Sequence, residues 1–218
     1  MDHPTDQLTL WADQARVARA NYNTLDWSQV ITAATQEGWL EADHEIGGRA
    51  GLRDLQVIIA AVERGPDSHP GARRVNRSLS PRLGPICFHT HPRGSRPIPS
   101  LADLYNAVRG FYERRTALSV VVSSGPTIVV VAPRYPPDSI IDTDEAAFGL
   151  VVAVAQDLPK RPTVRDVMLQ LERLLDVHVA PPFGKEALDQ LAGGFASARA
   201  WAHVQETRDK VRAAAVRK

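Results

Sequence analysis

Ile86-Cys87-Phe88-His89-Thr90-His91-Pro92 is the segment around which the rest of the chain is organised. Pro99-Ser100-Leu101-Ala102-Asp103 follows shortly after it. A short apolar run that ends in alternating histidines predicts a strand, and alternation along a strand places His89 and His91 on one face. Pro92 then ends the strand, since proline has no N–H group to donate to a neighbouring strand. From Ser100 onward, apolar residues recur with helical spacing, which predicts a helix with Asp103 on its first turn.

These residues carry the donor groups of a metal site. If the loop after Pro92 folds back, His89, His91 and Asp103 can bind one metal ion. Catalytic zinc uses three protein ligands and keeps a fourth position for water, whose pKa falls towards neutrality. Ser100 and Asp103 are also typical of a helix N-terminus, where a serine caps the helix and an acid follows three residues later. The two interpretations are compatible, because a capping hydroxyl can face a substrate.

The motif has a counterpart in a known family. His89-Thr90-His91-Pro92 with Ser100-x-x-Asp103 resembles the signature of the JAMM (MPN-type, JAB-domain) zinc metalloproteases, although the loop after the proline is one residue longer than usual. The resemblance covers roughly residues 40–135. It implies that His89, His91 and Asp103 bind one Zn²⁺ ion. It further implies that Ser100 stabilises the tetrahedral intermediate and that an upstream glutamate is the general base.

The upstream carboxylate falls between residues 39 and 62. Glu45-Ile46-Gly47-Gly48 through Gly51 is similar to the family pattern of a glutamate followed by glycine and an extended segment. We therefore predict that Glu45 is the general base, with Glu41 as the alternative and a solvated loop acid as the competing interpretation. His44 is not counted as a ligand, because in an extended segment it points away from the face of Glu45. The apolar, β-branched run at 55–62 predicts a buried strand.

The remaining elements follow from periodicity and from glycine and proline positions. We expect helices at 4–21, 25–37 and 101–115 and strands at 117–123 and 127–132. The segment 146–155 is undecided, residues 164–178 share one helical face, and 185–216 is a long helix candidate. The expected fold class is α/β (α+β). The resemblance implies an MPN/JAB-like mixed β-sheet flanked by helices, with extra helices at both ends.

Three regions are expected along the chain. Residues 1–38 form a helical segment packed on the core, residues 39–135 form the JAMM/MPN-like catalytic domain, and residues 136–218 form a mainly helical extension. We expect this C-terminal extension to pack on the catalytic domain, to dimerise or to bind a partner.

Composition limits the possible partners and compartments. The chain has 218 residues and a formal net charge of +1, so composition indicates no strong polyanion partner. Its single cysteine, Cys87, excludes an internal disulfide framework and fits a reducing compartment. With no visible signal peptide and no apolar run of ~20 residues, we expect a soluble, cytoplasmic protein without a membrane partner. Arginines outnumber acids between Arg64 and Arg96, which is typical of a solvated loop or of a surface that attracts acidic partners or nucleic acid.

The predicted function is zinc-dependent hydrolysis of a peptide or isopeptide bond. Glu45 would take a proton from the attacking water and pass it to the leaving amine, and Ser100 would donate a hydrogen bond to the developing oxyanion. The resemblance implies a substrate bond next to the C-terminus of a ubiquitin-like protein. The alternatives are a non-catalytic MPN-type scaffold and a nucleic-acid-associated JAB-like domain.

Overall fold

The computed structural model of the chain describes residues 4–65, 79–91, 99–123, 127–134, 143–156, 158 and 164–180. Five helices lie in this part of the chain: α1 (Pro4–Ala20), α2 (Ser28–Gln36), α3 (Leu101–Tyr112), α4 (Thr143–Gln156) and α5 (Val164–Leu174). The six strands are β1 (Ile46–Arg53), β2 (Gln56–Arg64), β3 (Ile86–Thr90), β4 (Leu118–Ser123), β5 (Thr127–Pro133) and β6 (Leu175–Ala180). Two short 3₁₀ turns span Trp39–Glu41 and Pro81–Leu83. No described helix combines the length and the apolar character needed to cross a bilayer.

The six strands form one mixed sheet in the order β2-β1-β3-β4-β5-β6. β3 and β4 are parallel, and the other neighbouring pairs are antiparallel. Parallel neighbours need a crossover connection, and α3 lies in the segment that provides it. The expected α+β class with a mixed sheet is therefore confirmed, whereas the MPN/JAB-like arrangement stays a prediction.

Helices cover both faces of the sheet. One apolar cluster joins α1 and α2 to residues of the sheet such as Ile46, Phe88 and Val120. The other cluster joins α3, α4 and α5, with Tyr105 and Leu171 among its fully buried side chains. Removing these apolar surfaces from water is the main stabilising term of the fold. His89 and His91 lie on the face that α3 covers, because their Nε2 atoms are within 3.5 Å of the Asp103 carboxylate on α3.

Two expectations about single elements were wrong. The run at 55–62 forms a strand, β2, as expected, but the expected burial was wrong: β2 is an edge strand of the sheet, where Val57 is buried and Val62 is 40% exposed. An apolar run alone does not reveal whether a strand has one neighbour or two. The helical face expected to continue to His178 stops with α5 at Leu174, and His178 lies in β6. The β-branched residues Val177 and Val179 favour the strand.

The C-terminal region contributes to the sheet. β6 pairs with β5 over its whole length, so a strand from the region expected to be mainly helical completes the sheet at its far edge. The undecided segment at 146–155 is part of α4. The long helix candidate at 185–216 lies outside the described residues, and the division of the chain into three regions stays a prediction.

Gly48 allows β1 to pack closely against two neighbours, and its substitution gives the first testable prediction. A Cβ atom built on Gly48 would lie 2.3 Å from the Ala61 carbonyl oxygen and 2.3 Å from Cζ of Phe88, which stacks on Trp39. Overpacking of this kind typically costs about 1–3 kcal/mol, so Gly48→Ala should lower the melting temperature by several degrees. The matched control is Gly149→Ala on α4, where no atom lies within 4 Å of the added Cβ. This control should stabilise by about 0.5–1 kcal/mol. Equal melting temperatures for the two variants would contradict the packing described here.

Candidate metal centre

Strand β3 brings the two histidines to one place. The pairing of β3 with β1 ends at His89, opposite Gly47, and His91 directly follows the last residue of β3. Both side chains are nearly buried, at 8% and 9% exposure. Their Nε2 atoms lie 3.3 Å apart, so both imidazoles point at the same spot, as strand alternation predicted. The backbone is fixed there, because the His91 N–H donates to the Val122 carbonyl of β4 at 3.1 Å.

The first turn of α3 brings the carboxylate. Ser100 is the N-cap of α3 and forms a capping box with Asp103. The Asp103 backbone N–H donates to Ser100 Oγ at 3.1 Å, and Asp103 Oδ2 accepts from the Ser100 backbone N–H at 2.8 Å. Oδ2 also accepts from the Ser100 hydroxyl at 2.6 Å. The interpretation of these residues as a helix cap is confirmed, and the cap fixes the orientation of the carboxylate that faces the histidines.

The three side chains form a group that could bind a metal ion. His89 Nε2 lies 3.5 Å from Asp103 Oδ1, and His91 Nε2 lies 3.4 Å from Asp103 Oδ2. In a tetrahedral zinc site with ligand bonds of about 2.0–2.1 Å, neighbouring ligand atoms are about 3.3–3.4 Å apart. Each of the separations of 3.3–3.5 Å is close to that spacing, and the two histidines face different oxygens of the carboxylate. Among the described residues, these three form the group of histidine, cysteine, aspartate or glutamate side chains whose ligand atoms all lie within 4.8 Å of one another.

The charge state of Asp103 suits a ligand. Burial alone would raise the pKa of this carboxyl group, but the charges and hydrogen bonds of His89 and His91 outweigh burial and hold its pKa well below the ordinary value. Metal ligands must be deprotonated, so a carboxylate that stays ionised is ready to bind a cation. The donor set of two imidazoles and one carboxylate is one that catalytic zinc sites use.

Glu45 directly precedes β1, which is the neighbour of β3 in the sheet. Its carbonyl oxygen accepts from the Gly65 N–H at 2.8 Å, so the β1–β2 ladder extends to this residue. β1 and β3 pair with Gly47 opposite His89. Continuing this register by two residues places Glu45 across from His91, and residues directly opposite each other share a face. This placement supports Glu45 as the base, and its role stays a prediction.

The other residues singled out from the sequence lie apart from this group. Glu41 is an exposed residue of the first 3₁₀ turn. The His44 Nδ1 atom lies 3.0 Å from Asp43 Oδ1, and His44 does not belong to the metal-binding group. Of the arginine-rich stretch, Arg64 and Arg82 are described and exposed, and the other five arginines lie outside the described residues.

Sequence reasoning missed two hydroxyl groups beside the centre. Thr90, between the histidines, accepts a hydrogen bond from the Ile46 N–H at 3.0 Å. Ser123 ends β4, and the parallel register that pairs His89 with Val121 places it beside His91. Its side chain is 1% exposed, and its Oγ atom has no hydrogen-bond partner in the described part of the chain. The signal for both was a hydroxyl residue at the end of an apolar strand, which is visible in the sequence but common in strands.

Comparison of the chain with protein-family models, curated proteins and solved structures gives no match. The JAMM relationship therefore stays a resemblance, which depends on the motif residues. The geometry of His89, His91 and Asp103 is independent of that resemblance.

Proposed function

We propose that this chain is a zinc-dependent hydrolase of amide bonds. One observation carries the proposal: the Nε2 atoms of His89 and His91 lie 3.3 Å apart, and each faces one oxygen of the Asp103 carboxylate at 3.4–3.5 Å. One ligand atom from each residue lies within 4.8 Å of the other two, so the group could hold a zinc ion. Three protein ligands leave a fourth coordination position open, which is the arrangement of catalytic rather than structural zinc sites.

The side chains around the centre would have different roles in the hydrolysis. Bound zinc would activate a water molecule for attack and polarise a carbonyl oxygen. Glu45, on the same face as the imidazoles, would accept a proton from the attacking water and return it to the leaving amine. Ser100 donates the single hydrogen of its hydroxyl to Asp103 Oδ2, so its first role is to orient that ligand. It can donate to a developing oxyanion only by releasing Asp103.

The resemblance to JAMM proteins suggests the substrate. A peptide or isopeptide bond at the C-terminus of a ubiquitin-like protein is the substrate class we propose, in the cytoplasm. No observation among the described residues favours nucleic acid over protein as the partner.

Zinc content tests the proposal directly. Protein purified without chelator should contain about one zinc ion per chain, measured by elemental mass spectrometry, and His89→Ala should contain almost none, because a neutral methyl group replaces one of three ligands. His44→Ala is the matched control, since His44 lies outside the metal-binding group, and it should keep the zinc of the wild type. The absence of zinc from all three proteins, even after zinc is added, would contradict the proposal and favour the non-catalytic scaffold.

A further inference from the structure

The hydrogen bond between Thr90 and Ile46 joins two strands at the point where their backbone pairing ends. β1 and β3 pair from Ala50 opposite Ile86 to Gly47 opposite His89. One residue further, Thr90 Oγ1 accepts from the Ile46 N–H at 3.0 Å. Thr90 and Ile46 are 0% and 1% exposed, so this N–H group has no access to water as an alternative partner. A side chain thus extends the connection between β1 and β3 beyond the paired residues.

Thr90 lies next to the metal-binding group but does not face it. It stands between His89 and His91 in the chain, and strand alternation puts its side chain on the opposite face of the sheet. Its partner Ile46 directly follows Glu45. The hydrogen bond therefore connects the residue between the two imidazoles to the residue after the proposed base.

The end of β1 is held from both sides near Glu45. On the β2 side, the Gly65 N–H donates to the Glu45 carbonyl at 2.8 Å. On the β3 side, the Ile46 N–H donates to Thr90. Without the second bond, this end of β1 would be fixed to the edge strand β2, and its separation from His91 would be less well defined.

We propose that Thr90 is a positioning residue that holds the Glu45 carboxylate at the metal centre. The inference rests on the proposed function, because it takes Glu45 as the base and a bound metal as its neighbour. Threonine is suited to this position, since its branched side chain favours a strand and its hydroxyl supplies the acceptor. Valine has nearly the same shape without the acceptor, and serine keeps the acceptor without the methyl group.

The test uses the full chain loaded with Co²⁺ in place of Zn²⁺, and it measures the pH midpoint of the change in the cobalt absorption bands. The midpoint reports loss of a proton from the water at the metal, and a negative carboxylate nearby opposes that loss. Glu45→Gln should therefore lower the midpoint by about one pH unit. Thr90→Val should shift the midpoint in the same direction, and Thr90→Ser should restore the wild-type value. In the Glu45→Gln background, Thr90→Val should cause no further shift, because the carboxylate through which Thr90 acts is gone.

Two results would overturn the inference. One is a wild-type midpoint for Thr90→Val. The other is an equal shift by Thr90→Val with and without Glu45, which would mean that Thr90 acts on the metal ligands or on the fold as a whole. Should the valine variant not fold, Thr90→Ala takes its place with the same comparisons. Failure of the wild-type protein to bind cobalt would instead refute the proposed function, and the inference with it.

Discussion

Replacing Glu45 by glutamine is expected to abolish hydrolysis while the protein keeps its metal. A positioned general base typically contributes about 10²–10⁴-fold to a rate, and an amide of the same shape cannot take up the proton. Glu45 does not belong to the group of His89, His91 and Asp103, and the β1–β3 register continued by two residues puts it opposite His91. Its loss should therefore leave the metal bound. The rate would be measured with ubiquitin-like proteins that carry a fluorogenic C-terminal amide, and the zinc content by elemental mass spectrometry.

The control for this prediction is Glu41→Gln. Glu41 is exposed in a 3₁₀ turn, and its substitution should leave both hydrolysis and zinc content at wild-type values. Loss of zinc from Glu45→Gln would make Glu45 a ligand, and an inactive Glu41→Gln with an active Glu45→Gln would exchange the roles of the two residues. Either result would contradict the assignment of the base.

Replacing Asp103 by alanine is expected to weaken zinc binding by more than 100-fold. Loss of a partner outside the ligand set typically costs about 10–100-fold in metal affinity, and loss of a ligand should exceed that. Asp103 is also the one carboxylate of the three-residue group, and His89 and His91 hold its pKa well below the ordinary value. Competition with a zinc-sensitive chelating dye would measure the affinity of the wild type and the variant.

The zinc affinity of Asp103→Ala is to be compared with that of Ser100→Ala. The variant loses the hydroxyl donor to Oδ2 but keeps the backbone donor, so zinc affinity should fall by about 10–100-fold. An unchanged zinc affinity in both variants would reduce Ser100 and Asp103 to a helix cap. An unchanged affinity in Ser100→Ala alone, with hydrolysis lost, would mean that Ser100 acts on the substrate and not on the ligand.

The clustering of His89, His91 and Asp103 could be predicted from the sequence because its parts are local. The alternation of His89 and His91 on a strand and the first-turn position of Asp103 on a helix follow from periods of two and of 3.6 residues. The only long-range assumption was that the loop between His91 and Ser100 folds back. The same local patterns predicted most of the described helices and strands, including the two strands on either side of residues 124–126.

Features that depend on the neighbours of a strand could not be predicted in this way. An apolar run such as that of β2 is compatible with a central or an edge position, and only the sheet order decides between them. The hydrogen bond of Thr90 and the place of Ser123 beside His91 depend on the registers of three strands. For Glu45, the sequence pattern suggested a role. Only the β1–β3 register, continued by two residues, puts it opposite His91.

The contacts that form the centre join residues at very different separations along the chain, and these separations affect the order in which the contacts form during folding. His91 and Asp103 are 12 residues apart, whereas Thr90 meets Ile46 across 44 residues. The entropy of loop closure favours the shorter loop by about 1 kcal/mol. His91 and Asp103 are therefore expected to meet before β1 docks on β3. Under the proposed function, a nascent or partly opened chain could then hold a metal ion before Glu45 is in place, and it would stay inactive until its sheet is complete.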